Sequence, residues 1–145
     1  FLENELLIQI EHLIGEFLIV QGKTESNAHS FLKSNIEIVS FMTSEALNEA
    51  ILASEIVVSR SGYSTLMDLA NLEKKAILIP TPGQTEQEYL ANRFYEKGIF
   101  YCQNQQQLNL KKALTEGMKF SGFQQKKVGA NLLKDAIEEL VASLI

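Results

Sequence analysis

One short segment, from Ser59 to Asp68, carries the residue types that bind anions. It reads Ser-Arg-Ser-Gly-Tyr-Ser-Thr-Leu-Met-Asp, follows an apolar run typical of a buried strand, and opens a helical pattern. Arg60 supplies a permanent charge that can grip a phosphate. The first backbone amides of the helix are unpaired donors that favour anions. Gly62 lets the backbone approach a ligand closely. The segment therefore predicts a phosphate-binding turn.

The same segment places its other polar residues on one helix face. Residues three or four apart are neighbours on a helix, and this spacing relates Ser61, Ser64, Thr65 and Asp68. Two interpretations stay open: Asp68 binds a ligand, or the helix dipole merely stabilises it and Ser64 is an ordinary cap. Arg60 favours the first, because an arginine beside a glycine turn has no evident packing role.

A second polar segment, Pro80 to Gln87, follows the next apolar run. Two prolines and Gly83 make a rigid loop that presents polar side chains together, namely Gln84, Thr85, Glu86 and Gln87. Amides and carboxylates suit sugar hydroxyls, which both donate and accept hydrogen bonds. The alternative is a solvated turn in which Thr85 caps the following helix.

The elements that must position both segments alternate between strand and helix. Five short apolar runs predict strands at residues 17–20, 36–39, 55–59, 75–79 and 99–102. Continuous runs of this kind are typical of parallel strands buried on both faces. Helices are predicted at residues 2–14, 44–53 (capped by Thr43 or Ser44), 64–72, 86–97, 106–116 and 123–144, with a short helix around 28–33.

This alternation predicts an α/β fold with a doubly wound, mostly parallel sheet and helices on both faces. Ligands of such folds sit beyond the carboxyl ends of the strands, so both polar segments should line one edge. The sequence opens with a helical pattern after Phe1, whereas such folds normally open with a strand. We therefore expect a first strand and its loop upstream, with residues 1–145 forming one domain of a longer, two-domain chain.

Several other chemistries are disfavoured because their motifs are incomplete. Gly22-Lys23-Thr24 ends like a phosphate-binding P-loop, but Phe17 stands where that motif needs a glycine. The fingerprint G-x-G-x-x-G is absent, which disfavours a nicotinamide dehydrogenase. Gly62-Tyr63-Ser64-Thr65-Leu66 lacks the final glycine of a nucleophile elbow. One Cys and two distant His give no metal-ligand cluster. The sequence thus predicts neither a metal nor a cofactor.

Composition and charge limit the classes of partner that this chain could bind. The formal net charge is −5, from 18 acidic and 13 basic residues, and the basic pairs are scattered, which disfavours nucleic-acid binding. No apolar run reaches the roughly 18–20 residues of a membrane helix. The single Cys102 excludes a secreted disulfide scaffold. We expect a cytoplasmic domain with no transmembrane segment.

Residues 56–98 resemble the C-terminal, donor-binding domain of GT-B glycosyltransferases, and most of all the MurG-like enzymes of family 28, which use UDP-N-acetylglucosamine. The likeness rests on Arg60-Ser61-Gly62 with an acid eight residues after the arginine, and on the run Pro82-Gly83-Gln84-Thr85-Glu86-Gln87. Asp68 stands where the family usually has Glu. The implied fold is the Rossmann-like half of a GT-B enzyme.

The resemblance implies a role for each matching residue. Arg60, Ser64 and Thr65 would face the diphosphate, with Ser61 and Gly62 in the same motif. Asp68 would accept hydrogen bonds from the ribose hydroxyls. The loop pair Glu86 and Gln87 would contact the donor sugar or the ribose, beside Gln84 and Thr85. Met42, after the second predicted strand, would lie where the family holds the base by backbone groups.

The implied function is binding of a UDP-linked hexose or N-acetylhexosamine for transfer of the hexosyl group to an unidentified acceptor. An N-terminal domain outside this sequence would bind the acceptor and supply the catalytic base, so the fragment alone should be inactive. Two alternatives remain open: a UDP-sugar epimerase of the same architecture, and a non-enzymatic α/β interaction module. Whether the parent enzyme associates peripherally with a membrane also stays open.

Overall fold

The computed structural model describes residues 1–124 together with 134–135, 138–139 and 142. The six strands are β1 (Phe17–Val20), β2 (His29–Lys33), β3 (Ile36–Val39), β4 (Val57–Ser59), β5 (Ala76–Leu78) and β6 (Tyr101–Cys102). The five helices are α1 (Leu2–Ile10), α2 (Ser44–Ala53), α3 (Tyr63–Asn71), α4 (Thr85–Glu96) and α5 (Leu110–Gly117), and a short 3-10 turn spans Gln105–Gln107.

Strands β4, β5 and β6 form a parallel sheet with β5 in the middle. Successive residues of β5 point to opposite faces of the sheet: Leu78 packs with α3 and α4, whereas Ile77 packs with Ala113 of α5. Both residues are fully buried. The predicted α/β sheet with helices on both faces is therefore confirmed, and the carboxyl ends of the three strands meet at one edge.

Strands β1, β3 and β2 form a second, mixed sheet in that order. β1 runs parallel to β3, as predicted, but β2 pairs antiparallel with β3. The prediction of a short helix around 28–33 is wrong. Ser34 and Asn35 form a turn that folds this polar segment back as a hairpin, where it covers the outer edge of β3. Every residue of β2 is exposed, so its sequence lacks the apolar run of a buried strand.

The two sheets share an apolar cluster but no strand pairing. Val58 of β4 and Ile19 of β1 both pack against a cluster built on Ile10 and Ile36. Within the described part of the chain, β1 pairs only with β3 and β4 only with β5. β1 and β4 thus each leave one edge without a strand partner.

The helices that begin near the polar segments rest on an aromatic core. Phe94, Phe100 and Phe123 stack edge-to-face in a triangle with ring centroids 5.2–5.8 Å apart. Leu66 of α3 and Leu90 of α4 are fully buried in the same cluster. Burying a Leu or Phe side chain completely stabilises a fold by about 1.5–3 kcal/mol. The starts of α3 and α4 are therefore fixed relative to each other.

Most predicted boundaries hold within two or three residues, except the end of α1 and the start of α5. α1 ends at Ile10 rather than 14, and Ile14 is fully exposed. α5 begins at Leu110 rather than 106, because Asn109 caps it through the amide of Lys112. β6 is limited to its last two predicted residues. The helix predicted at 123–144 lies largely outside the described residues. No helix in the described part is long and apolar enough to cross a membrane.

Candidate functional site

The two polar segments meet at the carboxyl edge of the β4–β5–β6 sheet. The hydroxyl of Ser61, which is fully buried, donates to the backbone carbonyl of Gln87 at 2.7 Å. Ser61 follows β4 and Gln87 lies in the first turn of α4. This hydrogen bond joins the two loops, so the expectation that both segments line one edge is confirmed.

Arg60 lies half-buried between three strand ends. Its Nη1 donates to the carbonyls of Ile79 and Pro80, both at 3.1 Å, and its Nη2 donates to Oε1 of Gln105 at 2.5 Å. The expectation that Arg60 has no packing role is therefore wrong. None of these acceptors carries a charge, and no carboxylate of the described residues forms an ion pair with Arg60.

Within the described part of the chain, the charge of Arg60 therefore has no counter-ion. Burial lowers the pKa of the Arg60 guanidinium from its ordinary value, and arginine nevertheless stays protonated at neutral pH. A positive charge that has lost part of its water and has no counter-ion gains energy when an anion reaches it.

Helix α3 begins without a side-chain cap. Its N-cap residue is Gly62, and no side chain accepts a hydrogen bond from the first amides. The prediction that Ser64 caps this helix is wrong, because the helix already begins at Tyr63. Gly62 has an ordinary φ of −71°, and a Cβ there would meet nothing within 4 Å. Neither strain nor packing explains this glycine, and the space beside it is open.

Helix α4 also begins without a side-chain cap. Its N-cap residue is Gln84, and Thr85 is the first helical residue, so the predicted Thr85 cap is wrong. By contrast, Thr43 caps α2 at 3.2 Å and Asn109 caps α5 at 2.9 Å. The helices that start at the candidate site thus keep their first amides free of side-chain acceptors, and the dipole of each favours an anion there.

The loop before α4 is braced by its own side chains. Oε1 of Gln87 accepts from the amide of Thr81 at 2.9 Å, and its Nε2 donates to Oε1 of Gln84 at 3.1 Å. Oε1 of Glu88 accepts from the amide of Gly83 at 3.1 Å. Gly83 has a φ of +81°, which favours glycine. The loop is rigid, as predicted, and Gln84 and Gln87 contribute to that rigidity.

A second group of candidate residues makes no side-chain hydrogen bond or ion pair within the described part of the chain. It comprises Ser64, Thr65, Asp68, Thr85 and Glu86. All are exposed except Thr65, which is half-buried. The candidate residues therefore fall into a braced set, Arg60, Ser61, Gln84 and Gln87, and this open set, whose hydroxyls and carboxylates are available to a ligand.

Met42 follows a strand of the other sheet. It is half-buried in the loop between β3 and α2. That loop leaves the β1–β3–β2 sheet, whereas Arg60 leaves the other sheet, and no strand pairing joins the two sheets. Among the described residues, no hydrogen bond joins Met42 to either polar segment.

A polar cavity of about 410 Å³ opens beside the loop before α4. It is lined by Pro80, Pro82, Glu88, Asn92, Cys102, Asn104 and Gln106. Burial raises the pKa of the Cys102 thiol to about 11, which favours the protonated thiol at physiological pH. Among the described residues, no group of three or more His, Cys, Asp and Glu side chains could hold a metal ion.

The sequence as a whole matches a known family. Residues 2–140 match the glycosyltransferase family 28 C-terminal domain. The chain belongs to this family. The resemblance drawn from residues 56–98 is thereby confirmed, and the match extends over nearly the whole chain.

Two curated relatives of this chain carry the name UDP-N-acetylglucosamine--N-acetylmuramyl-(pentapeptide) pyrophosphoryl-undecaprenol N-acetylglucosamine transferase. The protein of Rhodopseudomonas palustris is 39% identical over 61 residues, which cover 42% of this chain and 16% of the relative. That of Crocosphaera subtropica is 32% identical over 98 residues, 66% of this chain and 28% of the relative. The chain thus spans less than a third of these relatives. A comparison with solved structures finds no match.

Sequence reasoning missed two polar residues of the family 28 domain, Glu88 and Gln105. Glu88 lies four residues after Gln84 and four before Asn92, so helical spacing alone could have placed it beside the loop. Gln105 belongs to a polar run that follows β6. Because β6 runs parallel to β4 and β5, the rule that ligands sit beyond the strand ends applies to this run as well.

Proposed function

We propose that this domain binds the UDP part of a nucleotide-sugar donor in a glycosyltransferase, and that the donor carries a hexose or an N-acetylhexosamine. One observation carries the proposal: two helix starts without side-chain caps, those of α3 and α4, lie at the edge where Arg60 has no counter-ion. A diphosphate would supply the missing negative charge. Arg60, Ser64 and Thr65 would contact it, and the open space beside Gly62 would admit it.

Asp68 would bind the ribose. Its exposed carboxylate lies one helical turn beyond Ser64 and makes no hydrogen bond or ion pair within the described residues. A carboxylate accepts hydrogen bonds from two hydroxyls at once, which suits the 2′ and 3′ hydroxyls of a ribose. The backbone groups of Met42 would hold the base, in the loop that leaves β3.

The loop before α4 would contact the sugar. Thr85 and Glu86 keep free polar groups, so we assign the direct contacts to them. Gln84 and Gln87 would chiefly hold the loop in shape, because their amides are bonded to each other. Ser61 would hold the two segments together through Gln87.

The proposed reaction is transfer of the hexosyl group to an acceptor. As the bond to the sugar breaks, negative charge grows on the departing diphosphate, and Arg60 with the helix amides would stabilise it without a metal. The relatives' printed name favours UDP-N-acetylglucosamine as the donor. A further domain would bind the acceptor and supply the base.

We also propose that a further parallel strand fits between β1 and β4. Three observations support it: both strands have one unpaired edge, no residue of α2 is fully buried, and the buried hydroxyl of Ser59 in β4 has no hydrogen-bond partner. A loop after that strand would end at the same sheet edge and could add phosphate donors.

Ligand-observed NMR on the longest natural form of the protein tests the donor proposal. UDP and UDP-N-acetylglucosamine should show saturation transfer that excess UDP removes, and ADP and GDP should show much less. Analysis of the sugar product then separates transfer to an acceptor from epimerisation. Absence of any UDP signal would indicate that the open polar residues are only solvated.

A further inference from the structure

Gln105 reaches the candidate site from the end of β6, the strand at the opposite edge of the sheet from β4. It lies in the 3-10 turn after β6, 45 residues along the chain from Arg60, and its amide oxygen accepts from Arg60 Nη2 at 2.5 Å. Both ends of that turn are fixed. Asn104 caps it through the amide of Gln106 at 2.9 Å, and Oε1 of Gln103 accepts from the amide of Asn109 at 3.0 Å. Gln105 therefore offers its oxygen from a rigid support.

The three hydrogen bonds of Arg60 leave part of its guanidinium free. A guanidinium has five N–H groups. Both N–H groups of Nη1 and one of Nη2 are used by Ile79, Pro80 and Gln105. The Nε–H and the second N–H of Nη2 have no partner within the described residues, and Nε is not among the buried unpaired atoms. Two adjacent nitrogens thus keep donors for a two-point contact with a phosphate.

We infer that Gln105 is a positioning residue for the diphosphate site: it holds the Arg60 guanidinium in place without neutralising its charge. This inference rests on the proposed function. The choice of an amide matters chemically. A carboxylate at this position would hold Arg60 at least as firmly but would pair with its charge, and a diphosphate would then have to compete with it.

The same turn provides a matched control. Gln107 is exposed, and its side chain makes no hydrogen bond with any described residue. It shares the residue type and the 3-10 turn of Gln105 and differs in lacking the contact with Arg60. Replacing Gln107 therefore measures how a substitution in this turn affects UDP binding when the contact with Arg60 is kept.

The test compares Q105A and Q105E with Q107A and Q107E, using UDP and uridine as ligands and thermal melting as a check on folding. Q105A should lower the affinity for UDP about tenfold. It should change the affinity for uridine by no more than about twofold, since uridine has no phosphate. Q105E should melt at or above the wild-type temperature and yet weaken UDP by at least about tenfold. Both Gln107 variants should bind UDP like the wild type.

Several outcomes would overturn the inference. Equal UDP affinity of Q105A and Q107A would show that the hydrogen bond between Gln105 and Arg60 does not contribute to UDP binding. Recovery of UDP binding in Q105E would give Gln105 a purely structural role, and equal losses for uridine and UDP would do the same. If the wild type binds no UDP, the proposed function itself fails. If it binds UDP and only the variants behave otherwise, the positioning role alone fails.

Discussion

The hydroxyl of Ser61 donates to the backbone carbonyl of Gln87 at 2.7 Å, and this one hydrogen bond joins the starts of α3 and α4. Ser61 is fully buried, so water cannot replace it as a donor if it is removed. The relative position of the two uncapped helix starts therefore depends on a side chain that the ligand need not touch.

Replacing Ser61 with alanine should destabilise the fold and weaken UDP together. Loss of the donor removes one hydrogen bond from the Gln87 carbonyl, and a typical hydrogen bond contributes about 0.5–1.5 kcal/mol to stability. Thermal melting and UDP titration would measure the two effects. Ser64→Ala is the matched control, because Ser64 is exposed and unbonded: it should melt like the wild type and weaken only UDP. Equal melting temperatures for the two variants would contradict the account.

Replacing Arg60 with lysine should not preserve the UDP affinity that Arg60→Ala loses. A lysine keeps the charge but lacks the planar fork that meets Ile79, Pro80 and Gln105 at once. We expect both variants to weaken UDP by about tenfold or more, since a hydrogen bond to a charged group contributes about 1.5–3 kcal/mol. Calorimetry would measure this. Full UDP affinity in Arg60→Lys would show that charge alone matters.

Replacing Asp68 with asparagine should distinguish binding of the ribose from binding of the phosphates. The neutral amide has one acceptor oxygen in place of two, so UDP should weaken by a few-fold while pyrophosphate stays unchanged. Competition titrations with both ligands measure this ratio. Glu49→Gln removes a carboxylate from α2 as a control for general charge and should change neither. Equal losses of affinity for UDP and pyrophosphate in Asp68→Asn would show that Asp68 does not bind the ribose.

The Cys102 thiol should resist alkylation at neutral pH. Burial raises its pKa to about 11, and only the thiolate reacts, so at pH 8 about one thiol in a thousand is reactive. The rate of reaction with iodoacetamide should rise through pH 9 and 10 without levelling off. The denatured protein, with an ordinary thiol, provides the control. A plateau near pH 9 in the folded protein would contradict this.

Hydrogen exchange should report the strand proposed between β1 and β4. The amides of Phe17 and Gln21 bond to β3 and its flanks, and that of Val57 bonds toward β5. Amides alternate along parallel strands, so those of Leu18, Val20 and Val58 face the unpaired edges. They should exchange quickly in residues 1–145 alone and slowly in the longest natural form. Equally fast exchange in both would exclude the strand.

The order of elements could be predicted because the strands are continuous apolar runs, and all five predicted strands keep their place within two residues. β2 could not be predicted, since its exposed residues are strand only because the edge of β3 pairs with them. From the spacing of Arg60, Gly62 and Asp68, the turn after β4 was recognisable only as a candidate phosphate site. The braces Ser61–Gln87 and Arg60–Gln105 were not, because they join residues 26 and 45 positions apart that only tertiary packing brings together.

Calorimetric titration of UDP into the longest natural form of the protein tests the central claim most directly. Wild type should bind UDP without added metal, UDP-N-acetylglucosamine should compete for the same site, and Arg60→Ala should lower the affinity about tenfold or more. Absence of UDP binding by the wild type, or unchanged binding by Arg60→Ala, would contradict the assignment of this sheet edge as a nucleotide-sugar site.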